Sequence, residues 1–527
     1  MTANRLCVLV AAWMVLLANG SFWHALFNTQ DSGGKAWLFV ASLLVALIGL
    51  HLLLLRLLSP GRSIRVTLSV LLLLAAAAGW FMDTYGVALD TEMLRNVWQT
   101  NAAEARDFIS WSLAWRLLWQ GGPALALVWL VSLPDNSWLK SLGEYALGMA
   151  AGVALICISV LPMYSSYVSY FRNQHAARHL ITPANVVLGS AKLLQGSLQR
   201  ETPFVPVGMD AHRNAPPGDR PLLILVVVGE TARAANFSLG GYERQTNPLL
   251  QTRDVYYFGN VYSCGTATAV SLPCMFSDLP RRNFDLAKAA RRDSVLDILQ
   301  RAGLDVTWIE NQSGCKHVCD RVKHEGALQY HPQSCSGEEC LDAVLLHALD
   351  AKLPQINRDA VLLLHTMGSH GPAYYRRVPP EMVLFKPTCN TERIETCSDA
   401  AIVNAYDNTI VYTDYVLAGM IDRLAADQAI DSVLLYVSDH GESLGENNLY
   451  LHGQPFLIAP AAQKHVPMLM WFSPNALSRL RVDANCLRGK LGLAASHDNI
   501  SHTLLGLADV TTSAWRKELD SLQPCRL

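Results

Sequence analysis

The chain has 527 residues, a formal charge of −2 and a pI near 6.8. Its length points to more than one domain, and its near-neutral balance gives no electrostatic case for nucleic-acid binding. It is 51% hydrophobic, with a mean hydropathy of +0.19, and nearly all of that excess lies before residue 166.

A bilayer crossing needs about 20 apolar residues. RLCVLVAAWMVLLANGSFWHALF starts at Arg5, AWLFVASLLVALIGLHLLLL at Ala36 and VTLSVLLLLAAAAGWFM at Val66. LLWQGGPALALVWLVSL, interrupted by Gly and Pro, starts at Leu117, and YALGMAAGVALICISVLPM at Tyr145. The first has too long an apolar stretch for a cleaved leader and no small-residue cleavage site after it. The expectation is five transmembrane helices over residues 1–165, with surface helices in the loop at about 84–114. Arg5, Arg56, Arg62, Arg65 and Lys140 fall in the loops that an inside N-terminus makes cytoplasmic, although Arg95 and Arg106 lie in an outer loop. Five crossings then export everything after about residue 166.

The cysteines agree with export. Of the twelve, Cys7 and Cys157 lie in predicted spans. The others include the close pairs Cys264/Cys274, Cys315/Cys319, Cys335/Cys340 and Cys389/Cys397, together with Cys486 and Cys525. An even set in an exported domain reads as disulfides, in preference to a cysteine zinc site.

Residues 166–218 read as a connector along the membrane surface, and 219–527 as the exported domain. In the latter, PLLILVVVG, LDVTWIE, AVLLLHTMG, SVLLYVSDHG and VPMLMWF alternate with helical patterns such as NTIVYTDYVLAGMIDRLAA. That alternation predicts an α/β fold around a mostly parallel sheet. Two strands end in polar groups on the same predicted edge, one at Glu230 and one at Asp439-His440. These three form a mixed oxygen and nitrogen set suited to catalytic zinc. The hydroxyl-rich SCGTATAVSLPCMFS offers a nucleophile that a metal would activate, and spacing leaves Thr231, Thr266, Thr268 and Ser271 open. Lys316, His370 and His452 follow strands on the same edge and suit a phosphate site with proton donors.

VVVGETARAANFSLGGYERQTNP, SCGTATAVSLPCMFS, HTMGSHGPAYY and YVSDHGESLGENNLYLHGQP closely resemble, in order, the signature stretches of lipid A phosphoethanolamine transferases, which include the mobile colistin-resistance enzymes. The resemblance runs through SHDNISHTLLGL and implies an alkaline phosphatase/sulfatase-like domain behind five spans. It implies zinc held by Glu230, Thr268, Asp439 and His440, with Thr268 as nucleophile. It also implies a phosphoethanolamine pocket lined by Lys316, His370, Glu442 and His452, with a second zinc near His370 and His452. Asn96, Thr100 and Glu104, at i, i+4 and i+8, are placed on one helix face towards the donor headgroup. The cysteine pairs match the family's disulfides, which leaves Cys486 with Cys525. Gln312 departs from the Asn of some relatives.

The implied protein is a monomeric, multi-pass inner-membrane enzyme with its catalytic domain in the periplasm. It would move phosphoethanolamine from phosphatidylethanolamine to a lipid A phosphate through a threonine-linked intermediate. The outcome would be lower surface charge and resistance to polymyxins. A sulfatase would need a C/S-x-P-x-R segment, which is missing from the sequence. Other acceptors (a core sugar, a periplasmic glucan), phosphoglycerol transfer, and an inactive membrane-anchored binding protein are the rival readings.

Overall fold

The computed structural model describes the chain apart from residues 30–33, 60–62, 101–104, 107, 135–136, 175–176, 199–202, 215–217, 338 and 392–393. It divides into two compact units, Met1–Leu94 with Ile109–Leu198, and Arg95–Phe108 with Gln199–Leu527.

The first unit is helical: α1 (Ala3–Trp13), α2 (Gly20–Thr29), α3 (Gly34–Leu58), α4 (Ile64–Tyr85), α5 (Thr91–Gln99, its last residues in the second unit), α6 (Gly122–Leu130), α7 (Trp138–Val160) and α8 (Ala184–Leu198). Among the described residues three helical segments, Ala36–Leu58, Ile64–Tyr85 and Trp138–Met163, are long and apolar enough to span a bilayer. The first predicted span is a pair of helices bent by 59°. The bend falls at Asn19, whose side chain donates to Met14 O and Thr182 O, both at 2.9 Å, and accepts from Thr182 N at 2.8 Å. The predicted span from Leu117 is helical but changes register. A widened π turn, Leu117–Gly121, precedes Pro123, which has no N–H to donate. Helices α3 and α7 touch through glycines, and a Cβ on Gly49 would lie 2.9 Å from Gly152 O.

The second unit is built on an eight-stranded sheet: β1 (Leu222–Gly229), β2 (Tyr256–Tyr262), β3 (Asp305–Glu310), β4 (Lys323–Gly326), β5 (Ala360–His365), β6 (Asp431–Ser438), β7 (His465–Phe472) and β8 (Ala495–Ser496). Its order is β8-β2-β7-β6-β1-β5-β3-β4. The sheet is mixed, because β7 runs antiparallel to both β6 and β2 while the other pairings are parallel. Strands β1, β5 and β6 are buried along their whole length, as their unbroken apolar runs require. One face packs on a core that includes Phe276 and Trp308, with ring centroids 5.8 Å apart. Helices α9 (Thr268–Met275) and α10 (Asp399–Ala426) complete the elements that frame the site. Five disulfides join Cys264–Cys274, Cys315–Cys319, Cys335–Cys340, Cys389–Cys397 and Cys486–Cys525, and Cys7 and Cys157 are free.

The register aligns the strand ends. Gly229 pairs with Ser438, Val228 with His365, and His365 with Glu310. Glu230, Asp439, His365 and Glu310 therefore come to one edge of the sheet, where open parallel sheets bind ligands. At the opposite end, carboxylates are matched by cations: Asp359 and Asp431 pair with Arg479 at 3.1 and 3.2 Å, and Asp359 also pairs with Arg213 at 2.5 Å.

Candidate active site

Glu230, Asp439 and His440 are fully buried, and one ligating atom from each lies within 4.8 Å of the others. His440 Nδ1 donates to Gly441 O at 2.9 Å, so Nε2 carries the lone pair. That Nε2 is 3.4 Å from Glu230 Oε1 and 3.3 Å from Asp439 Oδ2. Asp439 Oδ1 accepts from Thr231 N at 3.0 Å and His440 N at 2.7 Å, whereas Oδ2 is buried without a hydrogen-bond donor. Burial, then Asp439, pushes the Glu230 carboxyl up; burial pushes Asp439 up to about 6. Burial pushes His440 down to about 4. Burial of two carboxyl groups and an imidazole nitrogen around one point leaves an O, O and N donor set that fits a cation such as zinc.

Thr268 is the first residue of α9, and Oγ1 lies 3.1 Å from each oxygen of Glu230 and 3.3 Å from His440 Nε2. The other hydroxyls are differently engaged. Thr231 Oγ1 donates to Glu230 Oε1 at 2.6 Å, Thr266 Oγ1 to Gln454 O at 2.6 Å, and Ser271 Oγ accepts from Gly265 N at 2.9 Å. Of these four hydroxyls, Thr268 is the one set against both Glu230 and His440.

His452 packs against His440 with ring centroids 4.2 Å apart and planes tilted by 44°, and His370 packs edge-on against His452 at 5.7 Å. His452 Nδ1 meets Glu442 Oε1 at 3.2 Å, and Tyr374 donates to Glu442 Oε2 at 3.0 Å. Burial, followed by the charges of His452, Arg377, His440 and Lys316, holds His370 well below the usual histidine range. Lys316, at φ +49°, donates to Ser313 O and Oγ, both at 2.9 Å. Asn96 lies in α5, and Thr100, just past its end, donates to Asn96 O at 2.7 Å. Glu104 and Arg62 lie outside the described residues. The predicted i, i+4, i+8 face is therefore not carried by one described helix.

Sequence reasoning passed over His365 and Glu310. His365, fully buried, sets Nδ1 2.9 Å from Glu310 Oε1 and Nε2 4.0 Å from Glu230 Oε2. Burial opposes the imidazolium, yet Glu310 holds its pKa above the ordinary value. Trp308 Nε1 and Gln312 N donate to Glu310 at 2.8 and 2.7 Å. Both residues end strands, which is the signal that singled out Glu230. His497 was also missed; its Nδ1 accepts from Cys264 N at 3.1 Å and its Nε2 meets Ser438 O at 2.9 Å, tying the nucleophile segment to β6.

A buried strand edge whose donors could hold a cation, with a hydroxyl beside it, in a chain that also carries helices apolar enough to span a bilayer, defines an enzyme of the sulfatase and alkaline phosphatase fold. Residues 223–510 match the sulfatase family, and residues 47–198 match the family described as phosphoethanolamine transferase EptA/EptB. The chain is 42% identical over 469 residues to phosphoethanolamine transferase EptA of Salmonella typhimurium, covering 88% of this chain and 86% of that protein. It is 35% identical over 520 residues to phosphatidylethanolamine transferase Mcr-1 of Escherichia coli, covering 95% and 94%. The solved lipooligosaccharide phosphoethanolamine transferase A of Neisseria meningitidis superposes with a TM-score of 0.95 at 37% identity, covering 99% and 98%. The chain belongs to the lipid A phosphoethanolamine transferase family.

Proposed function

We propose that this enzyme transfers phosphoethanolamine from phosphatidylethanolamine to a phosphate of lipid A, with Thr268 as nucleophile. The observation that carries the reading is Thr268 Oγ1 at 3.1 Å from both oxygens of Glu230 and 3.3 Å from His440 Nε2. In the first step a bond forms between Oγ1 and the phosphorus of the donor, and the bond to the diacylglycerol oxygen breaks. The proton lost from Oγ1 is balanced by the one the diacylglycerol hydroxyl gains. In the second step an acceptor phosphate oxygen attacks the same phosphorus, and Thr268 leaves and is reprotonated.

Glu230, Asp439, His440 and Thr268 would hold a zinc ion, which when bound supplies Lewis-acid polarisation and a more acidic hydroxyl. Asp439 is oriented by two backbone N–H donors and His440 by Gly441 O, so the ligands are held before anything binds. The imidazoles of His370 and His452, with Lys316 and Glu442, form the wall suited to the phosphoethanolamine group, and a second zinc at His370 and His452 is part of the same reading. Asn96, Thr100 and Glu104 would hold the donor headgroup. The enzyme acts as a monomer, with five spans in the inner membrane and the catalytic unit in the periplasm. The added ammonium lowers the net negative charge of lipid A and weakens the binding of polymyxins.

Mass spectrometry of lipid A from a Gram-negative host without its own transferase tests the reading, with wild type beside Thr268→Ala. A phosphoethanolamine adduct with wild type alone is expected. An adduct in both would remove Thr268 from the mechanism; unmodified lipid A in both would remove lipid A as acceptor.

A further inference from the structure

The segment that follows His452 leaves the site, turns at the surface and returns. Both ends are fixed to the site. Gly453 N donates to Thr266 O at 2.8 Å and Thr266 Oγ1 to Gln454 O at 2.6 Å. Gln463, fully buried, donates to Leu451 O at 3.0 Å and to Ser443 Oγ at 2.9 Å. Between these anchors, Ile458 N and Ala459 N both donate to Pro455 O, at 2.9 and 3.0 Å. The resulting turn presents Leu457 at 94% exposure and Ile458 at 43%, with Phe456 half-buried behind them.

Two cations lie against the Phe456 ring that precedes the exposed pair. The Arg281 guanidinium lies 4.3 Å from the centroid of the Phe456 ring, and Lys464 Nζ lies 5.2 Å from it. Lys464 also donates to Phe456 O at 3.2 Å. Arg282 is exposed next to Arg281. The half-buried carboxylate of Asp498 accepts from Arg281 N at 2.8 Å and feels Arg516, Arg281 and Arg282 together.

We propose that the Phe456–Leu457–Ile458 turn, with Arg281, Arg282 and Lys464, docks the catalytic unit on an anionic lipid surface. The acyl boundary takes the two aliphatic side chains and lipid phosphates take the cations. An apolar tip bordered by arginine and lysine has the charge and polarity order of a lipid interface, apolar inward and anionic at headgroup level. A single protruding tip lacks the concave apolar core and polar rim of a protein interface. The functional consequence rests on the transferase reading. The reacting phosphorus of a phospholipid stays at headgroup level while its chains remain in the bilayer, so the site must be brought to that level. Gly453 and Gln454, which lead into the turn, are tied to Thr266, two residues from Thr268, by one backbone hydrogen bond and one from the Thr266 hydroxyl, and thus link lipid contact to the position of the nucleophile.

The test uses the full chain in nanodiscs of phosphatidylethanolamine mixed with either phosphatidylglycerol or phosphatidylcholine. Photoreactive benzoylphenylalanine replaces Leu457 or, as control, Leu384, which is 59% exposed beside α10. Lipid adducts severalfold more abundant at 457 than at 384, richest with phosphatidylglycerol and reduced by salt, are expected. Equal adduct at both positions, or cross-linking of 457 to protein instead of lipid, would overturn the proposal. In the second arm, with lipid A supplied as acceptor, the triple variant Leu457→Asp, Arg281→Gln, Lys464→Gln should turn over bilayer phosphatidylethanolamine about tenfold more slowly, the factor that burying one leucine is worth. A water-soluble phosphoethanolamine ester should be cleaved at the wild-type rate. Equal loss on both substrates would mean that the turn supports the fold of the site, and would also overturn lipid docking. If the wild type cleaves neither ester, the transferase reading fails, and the cross-link still decides the docking.

Discussion

Gly368 lies against Glu230 so closely that a Cβ on Gly368 would sit 2.5 Å from the Glu230 carbonyl oxygen and 3.0 Å from its nitrogen. Gly368 also has φ +54°, and its N–H and that of Met367 donate to buried Asp342, both at 2.8 Å. The loop after β5 is thus pressed onto the strand end that carries the carboxylate. Gly368→Ala should therefore displace Glu230, beyond the ~1–2 kcal/mol that a left-handed side chain costs. Bound zinc, measured by elemental analysis, and transfer activity should both fall by about tenfold or more, since ligand displacements near 1 Å cost this much or more. Gly314→Ala is the control, because Gly314 has φ +94° with nothing within 4 Å of a Cβ. It should lose some thermal stability while keeping its metal.

Thr268→Ser and Thr268→Ala separate the nucleophile from the fold. Thr268 begins α9 and Ala267 makes no side-chain cap, so neither change removes a capping bond. Serine should retain a measurable rate and a trapped phosphoethanolamine adduct, seen by intact-mass spectrometry. Alanine should show no adduct at an unchanged melting temperature. An adduct on the alanine variant would move the nucleophile to another hydroxyl.

Much of this site is legible in the sequence because strands buried on both faces appear as unbroken apolar runs, so the polar residue that ends each run stands out. Glu230 and Asp439-His440 were found in that way. His365 was not, because it closes the run AVLLLH as its last strand residue and reads as part of the strand. β2 was missed for a different reason. Its burial alternates, and YYFGNVY carries Gly and Asn among its aromatics, so it shows neither a continuous run nor a clean two-residue period. Spacing alone left four hydroxyls open and only the family resemblance pointed to Thr268; the hydrogen bonds that engage the other three, with Gln454 O, Gly265 N and Glu230, are encoded by no spacing. Hydropathy likewise sees one span where Asn19 bends two helices.

Metal removal should expose the cost of the ligand set. Without a cation, Glu230 and Asp439 are two fully buried carboxyl groups facing each other. Chelation should lower the melting temperature, and zinc at a hundredfold above its Kd should restore about 2.7 kcal/mol. Asp439→Asn should invert the order. Its Oδ1 keeps the bonds from Thr231 N and His440 N, while the new Nδ2 can donate to His440 Nε2, 3.3 Å from the present Oδ2. The metal-free variant should be more stable than metal-free wild type, and the zinc response should disappear. Calorimetry with and without chelator checks both.

His365 and Glu310 should behave as a pair. Removing one partner of a buried ion pair costs about 3–5 kcal/mol, because the other is left uncompensated. His365→Gln should therefore destabilise strongly, since His365 is fully buried and Glu310 largely so. The double variant His365→Gln, Glu310→Gln should recover part of the loss. Denaturant unfolding of the two single variants and the double one gives the coupling energy. Strict additivity would mean that the two side chains do not act on each other.

Asp414, on α10 and remote from the metal ligands in sequence, sets a pH dependence of stability. Its carboxylate is fully buried and accepts from Leu249 N at 2.8 Å and Leu250 N at 2.9 Å, and burial pushes its pKa up to about 6. The folded pKa lies above the unfolded value near 4, so the folded state binds the proton more tightly. This stabilising contribution is complete below about pH 4 and is lost as pH rises towards and through 6. At about 1.4 kcal/mol per pKa unit the full contribution is about 3 kcal/mol, of which about 2 kcal/mol is lost between pH 4 and 7. Asp414→Asn removes the titration but gives up one of the two backbone acceptor contacts. Its melting temperature relative to wild type should therefore be lowest near pH 4 and rise by pH 7. A difference independent of pH would mean that Asp414 stays ionised in the fold throughout this range.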